Sequence, residues 1–267
     1  MIEIKLIKTV AVIIIIFLID SGVYAQSNSK YSALSKYRKW GIVAGPVLYN
    51  KAKIYPQYGD YTFENKPLWG FNAGFEYDFY PDKKWSFITG FLVALEPVYN
   101  IRLRIDKDDI YSYFGEDLID SYKSYAIVSF STPILIRLNI QIKKDVFINF
   151  LSGLKVMWFP PGGSDLVLSI SNEDNSETRE IFGLKLHTQD NMFYGSFVIG
   201  TGVSFAMNKI LLKSNIIYVM NFQNTIEGEY LFDNLLSSPS SRGNYELSGN
   251  YLGLLFSVSL ARKKEKW

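Results

Sequence analysis

The sequence predicts an all-β protein: an eight-stranded antiparallel up-and-down transmembrane β-barrel, preceded by a cleaved signal peptide. Three observations predict this fold. Eight segments alternate apolar and polar residues, the connections between them alternate between long and short, and aromatic residues are abundant. The chain of 267 residues contains 19 Tyr, 19 Phe and 5 Trp, or 16% aromatic residues. Such rings are favoured where a surface meets both hydrocarbon and water.

The N-terminus has the layout of a secretory signal peptide. Two lysines precede an apolar run (residues 10–19), and Val23 and Ala25 occupy the small-residue positions of a cleavage site. The run is too short for a spanning helix, which needs about 20 residues. An uncleaved N-terminal anchor is the alternative. Cleavage after Ala25 leaves 242 residues (267 minus 25), beginning at Gln26.

The rest of the chain is long enough for one large all-β domain or two small ones. We expect residues 1–25 to be the signal peptide, residues 26–37 a short periplasmic segment, residues 38–262 the barrel and residues 263–267 a basic periplasmic tail. Cysteine is absent, which excludes disulfides and thiolate metal sites. The 28 Lys and Arg residues nearly balance the 26 Asp and Glu residues, so nucleic acid is not an expected partner.

Eight segments have the period of a β-strand. In the stretch "ILIRLNIQI" (134–142), aliphatic residues occupy every even position, while Arg137, Asn139 and Gln141 occupy odd positions. In nearly every segment one side carries large apolar side chains and the other carries Gly, Ser and amides. In chain order the segments run from about 38 to 50, 68 to 80, 85 to 104, 122 to 142, 146 to 159, 192 to 207, 210 to 223 and 250 to 262.

The size of the polar residues indicates which side of these strands faces water. A soluble sandwich has large side chains inside and a polar outer face. Here the polar side is small and Gly-rich, as the crowded interior of a narrow closed barrel requires. The apolar side therefore faces lipid, and each segment reaches the roughly 9–11 residues that a tilted spanning strand needs. A secreted soluble barrel or sandwich is the alternative.

The connections between the segments alternate strictly in length. Short connections lie at 81–84, 143–145 and 208–209, and long ones lie at 51–67, 106–121, 160–191 and 224–249. Outer-membrane barrels have this arrangement, with tight periplasmic turns and long external loops. An even number of strands then places both termini on the periplasmic side.

Five ordered motifs, together with a signal sequence ending in "YAQ", carry a resemblance to a known family. They are "GFNAGFEYDF" (70–79), "WSFITGF" (85–91), "STPILIRL" (131–138), "INFLSGL" (148–154) and "FVIGTGVSF" (197–205). Together they resemble the PorT-like outer-membrane β-barrel family of Bacteroidota. The resemblance implies an eight-stranded outer-membrane barrel without a single shared activity. The founding member of that family is tied to protein secretion and gingipain transport.

Several ionisable residues fall on the polar side of the strands. We expect them inside the barrel: Glu76, Asp78, Glu96, Arg102, Arg104, Arg137, Lys155 and Lys213. Opposite charges there should neutralise one another, because the interior of eight strands is filled by side chains and lone buried charges are costly. Arg137 should therefore have an acidic partner such as Glu76, Asp78 or Glu96. A polar path through the barrel is the alternative.

His187 is the single histidine, so a Ser-His or Asp-His hydrolytic site would have to use it. It lies in the third long connection beside Thr188 and near Asp190, without a nucleophile motif. The acidic stretch 171–177 lacks the Gly of a calcium loop. We therefore expect no catalytic residue, no cofactor and no metal site.

Aromatic residues cluster in the first two long connections. They are Tyr55, Tyr58, Tyr61 and Phe63 in the first, and Tyr111, Tyr113 and Phe114 in the second. They suit contact with a partner or a glycan, and equally suit the interfacial girdle of a barrel.

The function expected from these features is that of an integral outer-membrane barrel acting as a structural or interaction platform in the cell envelope. Its expected partners are outer-membrane lipid and other envelope or secretion proteins. A narrow passive channel for small solutes is the main alternative. A loop-based hydrolase using His187 is a further one.

Overall fold

The computed structural model describes residues 31–110, 115–172, 177–188 and 192–262. The expected signal peptide and basic tail lie outside these ranges, as do Tyr111, Tyr113 and Phe114. No helix in the described ranges is long and apolar enough to cross a membrane.

One short helix, α1 (Ser32–Ser35), precedes sixteen strands in the described ranges. In chain order the strands are β1 (Trp40–Tyr49), β2 (Lys53–Tyr58), β3 (Glu64–Asn65), β4 (Leu68–Asp78), β5 (Trp85–Pro97), β6 (Asn100–Ile105), β7 (Leu118–Lys123), β8 (Ala126–Lys143), β9 (Val146–Trp158), β10 (Gly163–Ser171), β11 (Thr178–Thr188), β12 (Phe193–Ala206), β13 (Ile210–Asn221), β14 (Ile226–Phe232), β15 (Ser241–Leu247) and β16 (Tyr251–Leu260).

Eight of these strands close a barrel in the order β1-β4-β5-β8-β9-β12-β13-β16, and β16 pairs with β1. Every neighbouring pair is antiparallel, so the eight-stranded up-and-down barrel predicted from the alternating segments is confirmed. The three short connections lie at one end of this barrel, which we call the turn end. The four long connections lie at the other, which we call the loop end.

The outward face of the barrel is apolar and exposed. Phe75, Phe150, Ile216 and Leu252 each expose about half of their surface, at 52%, 47%, 53% and 49%. Soluble monomers rarely expose a contiguous apolar band of this size. A band around a closed barrel is instead the lipid-facing surface of a membrane-spanning barrel, which makes these eight strands transmembrane.

The four long connections contain strands that the sequence analysis did not predict. Their strands form a five-stranded sheet, β10-β11-β14-β15-β2, and a three-stranded sheet, β3-β6-β7. Two predicted barrel segments are consequently shorter than expected: the third ends at Pro97, and the fourth begins at Ala126. We call this structure beyond the barrel rim the loop-end domain.

The loop-end domain has an apolar core between its two sheets. The rings of Phe182 and Phe232 lie 4.8 Å apart, and those of Phe63 and Tyr230 lie 5.1 Å apart. Leu103 on the three-stranded sheet is fully buried in the same cluster. Burial of this much aromatic surface gives the loop-end domain its own source of stability.

The segment before β1 closes the turn end of the barrel. Tyr37 is fully buried in a cluster with Leu34 of α1, Phe147 and Leu211. Its hydroxyl donates to the carbonyl oxygen of Met207, so both the ring and the polar atom are satisfied.

Candidate functional site

Four ionisable side chains form a compact network inside the barrel. Arg137 on β8 donates to Asp78 at 2.7 Å and lies 3.7 Å from Glu76, both on β4. Lys213 on β13 lies 2.7 Å from Glu76 and 3.9 Å from Asp78. Ser257 on β16 donates to Glu76 at 2.8 Å. Two positive and two negative charges thus balance, and the network links strands from different parts of the barrel wall.

A second polar group lies in the barrel around Tyr251. The ammonium of Lys155 is 3.4 Å from the Tyr251 hydroxyl and 4.8 Å from the ring centre. The amide of Asn72 donates to the same hydroxyl at 3.1 Å. Glu96 accepts a short hydrogen bond from Ser129. These contacts satisfy most of the buried polar groups, which is the usual requirement for keeping them in an interior, while Oδ1 of Asn72 has no hydrogen-bond partner among the described residues.

The space between the two polar groups is small. A cavity of about 50 Å³ lies beside Glu76, Arg137 and Lys155. Such a volume holds at most a few water molecules. The arrangement therefore suits a filled, cross-linked interior better than an aqueous path.

Two of the eight residues expected inside the barrel lie outside it. Arg102 and Arg104 are exposed on β6, in the three-stranded sheet of the loop-end domain. Arg104 pairs with Asp117 at 2.9 Å on the surface. The expectation was wrong because it continued the alternation of β5 through Val98 and Tyr99, where the strand breaks.

His187 lies on β11, exposed, opposite Gly163 on β10 and Glu227 on β14. Thr188 points to the other face of the strand, as adjacent strand residues do, and its hydroxyl bonds to Gly162. Asp190 lies outside the described residues. Among the residues that are described, no three His, Asp or Glu side chains are grouped so that they could hold a metal ion.

The aromatic residues of the first long connection differ in burial. Tyr55 and Tyr58 are exposed on β2, at 44% and 52%. Tyr61 is half-buried, and Phe63 is buried at 6% in the core of the loop-end domain. Phe63 was therefore wrongly expected to be available for contact, because the connection folds back between the two sheets.

Asp109, which the sequence did not single out, joins three of the four long connections. It accepts hydrogen bonds from the Tyr61 hydroxyl at 2.5 Å and from the backbone N–H groups of Ser237 and Ser238 at 2.9 and 2.7 Å. Burial opposes the charge of Asp109, but these donors outweigh it and lower the pKa of the carboxyl below its usual value. Burial, and then the bond to Asp109, raise the pKa of Tyr61 to about 12.

The outward face of the five-stranded sheet carries a groove of about 490 Å³. One row of cross-strand neighbours runs across all five strands: Val167, Gly183, Leu231, Arg242 and Tyr58. Gly183 deepens the centre, because a Cβ atom there would meet nothing within 4 Å.

The chemistry of the groove is mixed. Arg242 forms an ion pair with Glu229 within it, and Tyr58 and Leu231 supply exposed apolar surface. Tyr and Arg with aliphatic surface are typical of protein contact sites. The alternation of Phe182, Leu184 and Leu186 with smaller or polar residues could have predicted β11. The row of cross-strand neighbours could not be predicted, because a single sequence does not give the register between strands.

Solved outer-membrane proteins are distantly similar to this chain. Outer membrane protein OprG from Pseudomonas aeruginosa is 10% identical, with 85% of this chain and 98% of that chain covered and a TM-score of 0.42. The outer membrane protease OmpT from Escherichia coli is 7% identical, with 82% and 96% covered and a TM-score of 0.33. No protein-family model matches the chain, and no curated protein matches it significantly. Similarities this low say nothing about what the chain binds or does.

Proposed function

We propose that the chain is an integral outer-membrane barrel that serves as an interaction platform in the cell envelope, without catalytic activity. The loop-end domain is its binding surface and faces outward, and both termini are periplasmic. In this proposal the chain is a PorT-like barrel of Bacteroidota, and its partners are envelope proteins, with secretion proteins favoured by that resemblance.

Closure of the barrel at both ends is the observation that carries the proposal. Tyr37 and its apolar neighbours fill the turn end. At the loop end, the rings of Tyr49 and Tyr251 meet at 5.2 Å, and the Tyr245 hydroxyl donates to the Val98 carbonyl at 2.7 Å. A barrel closed twice, with a neutral ion network between the closures, favours a rigid support over a conduit.

The narrow channel is the competing function, and conductance in planar bilayers separates the two. We expect the purified mature chain to give no steady conductance, because both ends are filled by packed side chains. A reproducible single-channel conductance would favour the channel and contradict the platform.

Crosslinking in native outer membranes tests the binding surface. We expect replacement of Tyr58 and Arg242 by Ala to reduce crosslinks to a partner at least several-fold, since both side chains line the groove. Tyr80→Ala is the matched control, because Tyr80 is equally exposed at 57% but lies at the turn end. An equal loss in both variants, or no loss in either, would contradict the assignment of the groove.

A further inference from the structure

We infer that the outer edge of β10 is a docking site for an extended segment of a partner polypeptide, which adds to the five-stranded sheet as a sixth strand. This inference rests on the proposed function, because it specifies how the loop-end domain holds its partner. The backbone of β10 is then a recognition element in addition to the side chains of the groove.

β10 is a nine-residue strand with one paired side. It pairs with β11, and no other strand in the described ranges pairs with it. The N–H of Thr188 donates to Gly162 at 2.9 Å, and the N–H of Asn172 donates to Glu177 at 3.0 Å. Antiparallel ladders bond alternate residues, so even-numbered residues of β10 bond β11. Asp165 and Val167 then direct their backbone N–H and C=O groups to the open side.

The opposite edge of the same sheet is protected, and β10 is not. Edge strand β2 has six residues, contains Pro56 without an N–H, and lies beside a register shift at Arg242 and Gly243. Proline, lysine and irregular pairing are the devices that proteins use against unwanted strand addition. β10 has no proline and no basic residue, and Asp165 is its single charge. The β10–β11 ladder also has a register shift, between Leu168 and Ser169, but its extra residue, Ile181, is on β11, whereas the extra residue beside β2 is Gln57 of β2 itself.

Partly exposed apolar side chains border this open edge. Leu166, Leu168 and Ile170 on the inner face of β10 are only half-buried. Leu184, the inward residue opposite Leu166 on the next strand, is fully buried at 0%. An added strand with inward apolar residues would cover this surface, which is a favourable burial term.

The open edge of β10 belongs to the part of the loop-end domain that continues from the β8–β9 pair of the barrel. In the barrel, β8 and β9 are paired up to Phe130 and Trp158. Along the chain, β7 precedes β8 and β10 follows β9. β7 and β10 do not pair with each other, because each is an edge strand of a different sheet. Leu118 and Tyr122 on β7 are half-buried like the edge residues of β10. Both sheet ends that continue from the β8–β9 pair therefore carry partly exposed apolar side chains.

The geometry favours a segment of another polypeptide over a second copy of this chain. β10 begins four residues after Phe159 leaves the barrel and runs outward as far as Ser171. Two copies in one membrane are related by an axis along the membrane normal, so their outward-running β10 strands would run parallel. Parallel pairing is slightly less stable than antiparallel pairing, whereas a separate segment can pair antiparallel. With one charge on β10, the fitting segment alternates apolar and neutral residues and has a basic residue opposite Asp165.

Peptide binding to the full mature chain in lipid vesicles tests this inference. The probe is a fluorescent nine-residue peptide that alternates valine with threonine and carries one lysine. Val167→Pro removes one outward N–H from β10, and Val167→Thr keeps it. We expect the proline variant to bind the probe at least tenfold more weakly than the threonine variant, which should match the unmodified chain.

A second probe leaves the protein unchanged. The same peptide, N-methylated on alternate residues, keeps its side chains but cannot complete a ladder, so we expect it not to bind. Equal binding by the methylated and unmethylated peptides, equal binding by the two Val167 variants, or no binding of the plain peptide to the unmodified chain would each overturn the inference.

Crosslinking from Asp165 in native outer membranes identifies the occupant. A photoreactive residue at this position should yield an adduct with a different polypeptide, and an adduct with a second copy of this chain would overturn the choice of occupant. If the Val167→Pro variant keeps all partner crosslinks of the loop-end domain, the inference of strand addition is wrong, but the proposed platform function is not contradicted. If the unmodified chain has no partner crosslinks, the platform itself fails.

Discussion

The barrel and the loop-end domain are built from the same kind of strand with opposite polarity. In the barrel, Arg137 points inward and Phe75 outward, whereas in the loop-end domain Leu103 points inward and Arg102 outward. Alternation with period two is common to both regions. The barrel is surrounded by lipid and the loop-end domain by water, which accounts for an inward arginine in the first and an outward arginine in the second.

The boundary between the two regions lies within the long hairpin that has β5 and β6 on one arm and β7 and β8 on the other. β5 ends at Pro97 and β6 begins at Asn100, and the hydroxyl of Ser124 binds the backbone N–H groups of Val98 and Tyr99 at 2.7 and 3.1 Å. After this break the inward positions change from even to odd numbers, and their character changes from mixed, with Ser86 and Glu96 beside Ile88 and Leu92, to wholly apolar in β6. The phase of the alternation thus changes within two residues, and the inward positions beyond the break no longer include polar residues.

The largest expected effect comes from breaking the barrel network. Arg137→Ala leaves Asp78 and Glu76 buried with only Lys213 nearby, and losing one partner of a buried pair typically costs about 3–5 kcal/mol. We expect a matching loss in the free energy of unfolding of the chain in lipid vesicles, measured by guanidinium titration with Trp fluorescence.

Arg102→Ala is the matched control for that substitution, since Arg102 is an exposed arginine of the loop-end domain. It should change the free energy of unfolding by less than about 0.5 kcal/mol. Joint replacement of Arg137, Lys213, Glu76 and Asp78 by apolar residues should recover most of the loss. Equal effects of Arg137→Ala and Arg102→Ala would remove the distinction between the two regions.

A comparable but local effect is expected from the core of the loop-end domain. Phe232→Ala removes a buried ring, a change that costs about 3 kcal/mol or more in cores. The loss should fall on the loop-end domain alone, seen as faster hydrogen exchange in β11 and β14 with unchanged exchange in the barrel. Phe256→Ala, on the lipid-facing side of β16, should leave exchange in both regions unchanged. Simultaneous loosening of the barrel by Phe232→Ala would show that the regions are not separate.

A smaller effect is expected at Asp109. Asp109→Ala leaves the N–H groups of Ser237 and Ser238 without their acceptor, at a cost of about 1–3 kcal/mol to the loop-end domain. Limited proteolysis of the long connections measures it.

The same site should respond to acid. Because the pKa of Asp109 is lowered in the folded state, its contribution is complete above the ordinary value near 3.8 and is lost as the pH falls through the lowered pKa. Protease sensitivity of the unmodified chain should therefore rise below about pH 4, and Asp109→Ala should lack that rise. An identical acid response in both proteins would assign the effect to other carboxyl groups.

The smallest effect is expected at Gly183. Its added Cβ meets nothing within 4 Å, so Gly183→Ala should change stability by less than about 0.5 kcal/mol while making the groove shallower. Gly228→Ala in the neighbouring strand is the contrast, because its Cβ would lie 2.1 Å from the Lys185 carbonyl oxygen. Hydrogen exchange in β11 and β14 distinguishes them, and equal destabilisation would argue against the open space above Gly183.

The sequence predicted the barrel well because lipid imposes a long, uniform alternation on every spanning strand. It also suggested Asp78 and Glu76 as partners of Arg137, since few acidic residues share the inward side. It failed for Arg102, Arg104 and Phe63, because the loop-end strands are short and their inward side is apolar. The groove and the open edge of β10 could not be predicted, because both depend on which strands pair and in which register. The residue pattern of a single segment does not determine either.

The closure of the turn end has a consequence for the order of folding. Tyr31 bonds Asn139, Tyr37 bonds Met207, and Arg262 bonds Tyr37, across separations of 108, 170 and 225 residues. Contacts this distant along the chain carry a large loop-closure cost until the intervening strands are in place. The first described residues therefore reach their final position only after the last strand has joined the first, so the closed turn end marks a barrel whose assembly is complete.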